Sequence, residues 1–173
     1  NLIALGAVVF IGLPHGAMDG ALAAHFGWME SKKKAASFLL GYVAIAALVV
    51  GFWFVAPAIS FIIFLAISMF HFGKGDVNDS NKQFTAIESL ARGGLVIAGI
   101  SQFHASDADM IFQALVGYDT ELVWLFLDAA LAVTIACCGM TLLTKNGQER
   151  GKFFGEIAGL ALIFGILSPL VGF

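Results

Sequence analysis

Residues 35–56 read AASFLLGYVAIAALVVGFWFVA, a stretch without a single charged side chain. An α-helix needs about 20 apolar residues to cross the hydrocarbon of a bilayer, so this stretch predicts a membrane-spanning helix. Lipid offers no water to backbone N–H and C=O groups, which leaves helices or closed barrels as the spanning structures. The stretch lacks the period-two alternation of barrel strands, so the helix is the expected solution.

The same reading extends outward in both directions. Apolar stretches occur at about 2–28, 35–56, 58–76, 85–102, 120–143 and 153–173. The chain is 60% hydrophobic and only 12% charged, with a mean hydropathy of +0.92. A soluble domain is closer to half apolar and a quarter charged. The expected fold is therefore all-α: a polytopic transmembrane bundle of about six segments, forming one integral-membrane domain over residues 1–173. Asn1 is neither an initiator Met nor the start of a basic leader, and LSPLVGF stops inside an apolar run. The domain is accordingly expected to be incomplete at both ends.

Charge gives the expected orientation. Eight of the nine basic residues fall in three connections: Lys32, Lys33 and Lys34; Lys74 and Lys82; and Lys145, Arg150 and Lys152. If Pro57 marks a turn between helices, counting crossings puts all three on one side, which the positive-inside rule makes cytoplasmic. The stretch from about Phe103 to Glu121 holds Asp107, Asp109, Asp119 and Glu121 without Lys or Arg. It is expected as a loop on the opposite side. The protein is placed as a multi-pass protein of the cell membrane, with the lipid bilayer and no nucleic acid as partner.

Small residues add a packing expectation. Gly12, Gly16 and Gly20 recur at four-residue spacing, as do Gly151, Gly155 and Gly159, a pattern that lets helix backbones approach closely. Cys137 and Cys138 are adjacent, so they point about 100° apart on a helix and are read as small hydrophobes rather than a disulfide.

Chemistry is expected where polar side chains interrupt hydrocarbon. His15 lies in GLPHGAMD (12–19) and His71 in SMFHFGKGD (68–76). A polar group at membrane depth is costly, which makes such positions functional candidates. Asp19 follows His15 by four residues and shares its helix face, so its carboxylate is placed to hold an imidazole nitrogen and fix its tautomer. Pro14 is expected to loosen the helix locally. Asp76 follows His71 by five. Each histidine also has a purely structural reading, as a core residue satisfied by a neighbouring helix. His25 reads as interfacial and His104 as part of the acidic loop. Glu88 and Arg92, four apart, are expected to neutralise one another, whereas Asp128 and Glu156 have no obvious partner in sequence. Two histidines alone are fewer ligands than an O₂-activating iron centre uses, and imidazole suits Fe, Zn and Cu alike.

GLPHGAMD, SMFHFGKGD, the ARGG run at 91–94 and the late SPLVGF at 168–173 together resemble the Brp/Blh family of bacterial and archaeal membrane proteins, the β-carotene 15,15′-dioxygenases. The resemblance runs in matching order over most of the chain. It implies an Fe(II)-dependent oxygenase that splits the central double bond of β-carotene with O₂, giving two molecules of retinal for a rhodopsin-type protein. It further implies that His15 and His71 are metal ligands and catalytic residues, with Asp19 and Asp76 as carboxylates behind them. The family's two remaining histidines lie in an HSxRH-like motif after the stretch matching SPLVGF, beyond Phe173. A hydrocarbon substrate calls for an apolar tunnel with aromatic walls. Phe70, Phe72 and Trp53 are the wall residues nearest the motifs. Two other classes fit the bare residues: a bis-His haem protein for electron transfer, which a Soret band would reveal, and a proton-coupled transporter. The transporter would be expected to show an internal repeat, and none is evident.

Overall fold

A computed structural model describes residues 13–75 and 82–167, with side chains from 18 to 75 and from 85 to 167. Among them there is no strand. The chain divides into two compact units, one ending at Val55 and the other beginning at Ala56.

In the first unit, α1 (Leu13–His25) and α2 (Lys32–Val55) are joined by a short turn. Pro14 is the second residue of the described helix, and the bonds to preceding residues that it was expected to loosen lie outside the described residues. The turn after α1 follows from Gly27, whose φ of 76° is readily adopted only by glycine. With Gly27 left-handed, its N–H reaches the Ala24 carbonyl at 3.0 Å and the Trp28 N–H reaches the Ala23 carbonyl at 2.9 Å. These are the paired bonds of a Schellman stop. The Ser31 hydroxyl then accepts the Lys34 N–H at 3.3 Å and starts α2. No residue of α2 is buried. Leu48 at 73% and Phe54 at 84% exposure would be a liability in water and are the expected surface in lipid.

The second unit begins with α3 (Pro57–Gly75), proline again taking the first turn. Next comes α4 (Lys82–Gly94), which runs on through a π-helical turn at Leu95–Gly99 into a final turn, α5 (Ile100–Phe103). The backbone breaks at His104, then α6 (Ala105–Val116), α7 (Glu121–Thr144) and α8 (Gly147–Ile166) follow. The hub is α4, packed against α3 and α7.

Glycine makes that hub possible. A Cβ added at Gly73 of α3 would overlap the Ser89 carbonyl, and one added at Gly93 would overlap the Met69 carbonyl. One added at Gly94 would strike the Thr134 hydroxyl of α7. The buried stripe of α3, Phe61, Leu65, Met69 and Gly73, repeats every four residues, as a single packed helix face must. Ala91, Cys137 and Phe153 form one core cluster, and Leu95, Ile100 and Phe164 another.

Among the described residues, three helices are long and apolar enough to cross a membrane by length and composition: Lys32–Val55, Pro57–Gly75 and Glu121–Thr144. The expected stretch at 85–102 is the charged and π-interrupted hub, and the expected stretch at 153–173 is entered by α8 already at Gly147. The acidic connection is not the loop that was expected. It contains the twelve-residue helix α6, because Ala108 and Phe112, four apart, are both buried. Phe112 packs its ring on Phe61 at 5.2 Å and Trp124 at 5.4 Å.

The glycine stripes also differ from expectation. Nothing lies within 4 Å of a Cβ built at Gly20, Gly151, Gly155 or Gly159, so these positions border open space within the chain. The packing glycines are Gly73, Gly93 and Gly94. Gly12 lies outside the described residues, and so does the Cβ environment of Gly16.

Two substitutions separate these classes of glycine. Gly93→Ala in the full-length protein should lower stability by about 1–3 kcal/mol, because the new methyl must push α3 and α4 apart. Gly155→Ala should be neutral or stabilising by up to about 1 kcal/mol, as in any exposed helix interior. Thermal unfolding in detergent reads both, and equal effects would contradict the assigned close approach.

Candidate functional site

Gly73 determines where His71 points. Two residues along a helix correspond to about 200° of rotation, so a Gly73 turned into α4 puts His71 on the opposite side of α3. His71 is indeed exposed. Its ring meets Phe72 edge-on at 5.9 Å, and no described residue hydrogen-bonds it. Beside it the Lys74 ammonium lies over the Phe70 ring at 5.9 Å. Phe70 and Phe72 are both about half exposed, and Trp53 on α2 is half-buried.

His15 is helical within α1, but its side chain is outside the described ones, and Asp76 lies outside the described residues altogether. Asp19 is exposed and accepts a hydrogen bond from the Tyr42 hydroxyl at 3.0 Å. Tyr42 stands in the middle of the opening apolar stretch. Its hydroxyl, a polar atom in hydrocarbon that must find a partner, was the available signal.

Other polar residues resolve into structural roles. His25 is exposed and stacks edge-on with Phe26. The His104 ring shares a 2.8 Å hydrogen bond with the Phe164 carbonyl, which belongs to the last turn of α8, where carbonyls lack partners within the helix. Asp128 accepts a bond from the Gln102 carboxamide at 2.6 Å. Asp109 on α6 accepts from the Thr120 hydroxyl at 2.6 Å, the Trp124 indole at 2.7 Å and the Gln113 carboxamide at 2.7 Å. The Thr120 bond, then that from Trp124, hold its carboxyl below the ordinary carboxylate value, against a smaller opposing effect of partial burial.

The expected Glu88–Arg92 pair is present and extends further. Arg92 Nη2 lies 2.9 Å from Glu88 Oε1 and 2.7 Å from Glu156 Oε2, and Lys145 Nζ lies 2.8 Å from Glu88 Oε2. The guanidinium also sits over the Phe153 ring at 5.2 Å. Glu156 therefore has a partner, Arg92, that its local sequence did not disclose.

Among the described residues, no group of three or more His, Cys, Asp or Glu side chains stands close enough to hold a metal ion. His71 is an exposed imidazole without a hydrogen-bond partner among the described residues, with Phe72 and Lys74 as its neighbours on α3. The described donors do not complete a metal centre with it.

Comparison with known proteins adds to this geometry. A protein-family profile described as beta-carotene 15,15'-dioxygenase matches residues 6–173. A curated beta-carotene 15,15'-dioxygenase from an uncultured marine bacterium, 66A03, is 34% identical over 174 residues. That match covers 98% of this chain and 62% of the relative, so the chain spans less than two thirds of the relative's length. No solved structure matches the chain.

The Asp109 cluster sets a pH dependence. A carboxyl that titrates lower when folded than unfolded contributes stability that is complete above the unfolded value, about 4, and is lost as pH falls through the folded one. Asp109→Asn should lower the Tm at pH 7, with the deficit shrinking as the wild type is taken toward pH 3. Melting curves across that range test it, and a deficit independent of pH would contradict the carboxylate's role.

Proposed function

We propose a function from one premise: the chain belongs to the β-carotene 15,15′-dioxygenase family. The protein that contains it is an oxygenase of the cell membrane that cleaves the central double bond of β-carotene with O₂. The C15=C15′ bond breaks and both of its carbons become aldehyde carbonyls, so one β-carotene yields two retinal molecules. The observation that carries this reading is the family match over residues 6–173, with the two histidine motifs in order along it.

The physical setting suits such a substrate. β-Carotene is a long hydrocarbon that dissolves in the bilayer, and the exposed apolar faces of α2 and α3 offer it a route that never passes through water. In this reading about six segments cross the bilayer. The basic connections around Lys32–Lys34, Lys74–Lys82 and Lys145–Lys152 face the cytoplasm. Retinal released into the membrane is available to a rhodopsin-type protein.

His15 and His71 are the residues proposed to hold Fe(II), which when bound supplies the one-electron chemistry that O₂ requires to react with a closed-shell alkene. Asp19 and Asp76 accept the outward N–H of the ligand rings, fixing their tautomers and raising their basicity. Tyr42 occupies one oxygen of Asp19, which leaves the other for His15 one helical turn away. Further ligands come from outside the described residues. The aromatic rings of Phe70, Phe72 and Trp53 serve as apolar walls.

Expression of the full-length gene in a β-carotene-accumulating bacterium tests the reading. The wild type should bleach the pigment and produce retinal, and His15→Ala and His71→Ala should each abolish both while the protein still accumulates in the membrane. Asp19→Asn should weaken iron binding by about 10–100-fold, the usual range for a carboxylate behind a metal ligand. Purified protein should contain iron without a Soret band. Retinal formation surviving in either histidine variant would remove the ligand assignment.

A further inference from the structure

Two glycines of the α8 stripe, Gly155 and Gly159, border a cleft of about 700 Å³. Its floor is Gly155 and Gly159, where an added Cβ meets no atom within 4 Å. One end of the cleft is apolar, with Leu160 and Ile163, and the other is ringed by charge. From Glu149 to Ile163 the helix rises about 21 Å. That is the length of a polar headgroup followed by most of an acyl chain.

The charge at the polar end is of two kinds. Arg92, Glu88, Glu156 and Lys145 neutralise one another at 2.7–2.9 Å, so they present little net charge to a ligand. At the rim, Lys152 is 78% exposed and only loosely associated with Glu156, at 3.9 Å. Glu149 lines the same end, is exposed, and has no side-chain partner among the described residues. Glu149 and Lys152 are three residues apart and therefore neighbours on the helix surface. The cleft thus offers one available cation beside one available anion above an apolar trough.

We propose that this cleft binds a phospholipid with a zwitterionic, primary-amine headgroup: phosphatidylethanolamine. Its phosphate pairs with Lys152, and its ammonium donates to Glu149. Its acyl chain lies over Gly155 and Gly159 toward Ile163. A purely anionic headgroup would satisfy Lys152 but set its charge against Glu149. A choline headgroup carries no N–H to donate. The proposal rests on the membrane setting adopted under Proposed function, and it assigns the cleft a role separate from carotene cleavage.

The test uses full-length protein purified in mild detergent and incubated with equimolar phosphatidylethanolamine, phosphatidylglycerol and phosphatidylcholine. Bound lipid is counted by native mass spectrometry, and retinal formation is measured on the same preparations. Phosphatidylethanolamine should be retained preferentially. Lys152→Glu, on an exposed side chain that folding does not need, should reduce its retention about tenfold, the equivalent of one charge-assisted hydrogen bond. Gly155→Leu should displace it by filling the trough. Equal retention of the three lipids, or an unchanged preference in Lys152→Glu, overturns the proposal. So does a Gly155→Cys thiol shielded from reagents in the lipid-stripped protein, which would mean that another helix of the full-length chain fills the cleft. Lipid retention without retinal formation would refute the enzymatic reading and leave this one standing. Retinal formation without lipid selectivity would do the reverse.

Discussion

The second unit depends on three places where α4 lies backbone to backbone, or backbone to hydroxyl, against its neighbours. Gly73 faces Ser89, Gly93 faces Met69 and Gly94 faces Thr134. Lipid tails are as apolar as leucine, so helices inside a bilayer gain little from burying hydrocarbon and must be held by close dispersion contact and polar satisfaction. A missing Cβ supplies both, because it lets facing atoms approach and brings carbonyls near Cα–H groups. The Thr134 hydroxyl at the third contact is itself satisfied, donating to the Ala130 carbonyl at 2.7 Å.

That approach makes the buried charge tolerable. Glu88 and Arg92 are 4% and 9% exposed, and isolated charges so placed would be prohibitively costly. With α4 drawn against its neighbours, Lys145 beyond α7 reaches Glu88 and Glu156 of α8 reaches Arg92. Two positive and two negative groups then close a network in which none is left alone. Such a network adds modestly to stability, but it strongly penalises any register of α4, α7 and α8 that would open it. Its contribution is to specify the arrangement.

How much of this was legible in the sequence depended on whether the signal was local. The helical stretches were legible from apolar length, most plainly α2, which has no charge after its opening lysines. The Glu88–Arg92 pair was legible because four residues make one helical turn. The Lys145 and Glu156 contacts were not, since partners 57 and 64 positions away leave no local trace. The acidity of 103–121 concealed α6, although the Ala108 and Phe112 spacing carried the helical period. The four-residue glycine repeats named helix faces on which close packing is permitted, without saying whether a neighbour arrives. Gly155 and Gly159 of α8 border a cleft, while the adjacent glycines of ARGG, outside the repeat pattern, meet α3 and α7. At the candidate site, the sequence motifs nominate His15 and His71 but say nothing of their mutual placement, because that requires tertiary geometry linking two helices far apart in sequence.

The same reasoning makes Gly73 the residue that sets the rotation of α3. Under the proposed function the substrate is a hydrocarbon without a polar handle, so the direction of the proposed ligand His71 would have to be set by the protein. On α3 that direction is the rotation of the helix about its own axis, and an error of one residue is about 100°. Gly73 restricts that freedom, because a residue bearing a Cβ could not approach the Ser89 carbonyl so closely. With Gly73 locked against α4, His71 is fixed about 200° around the helix, facing away from the packed interior. The HFG triplet therefore reads as one device: a ring that faces outward, an aromatic spacer edge-on to it, and a glycine whose contact on the far side of the helix sets the direction of the ring.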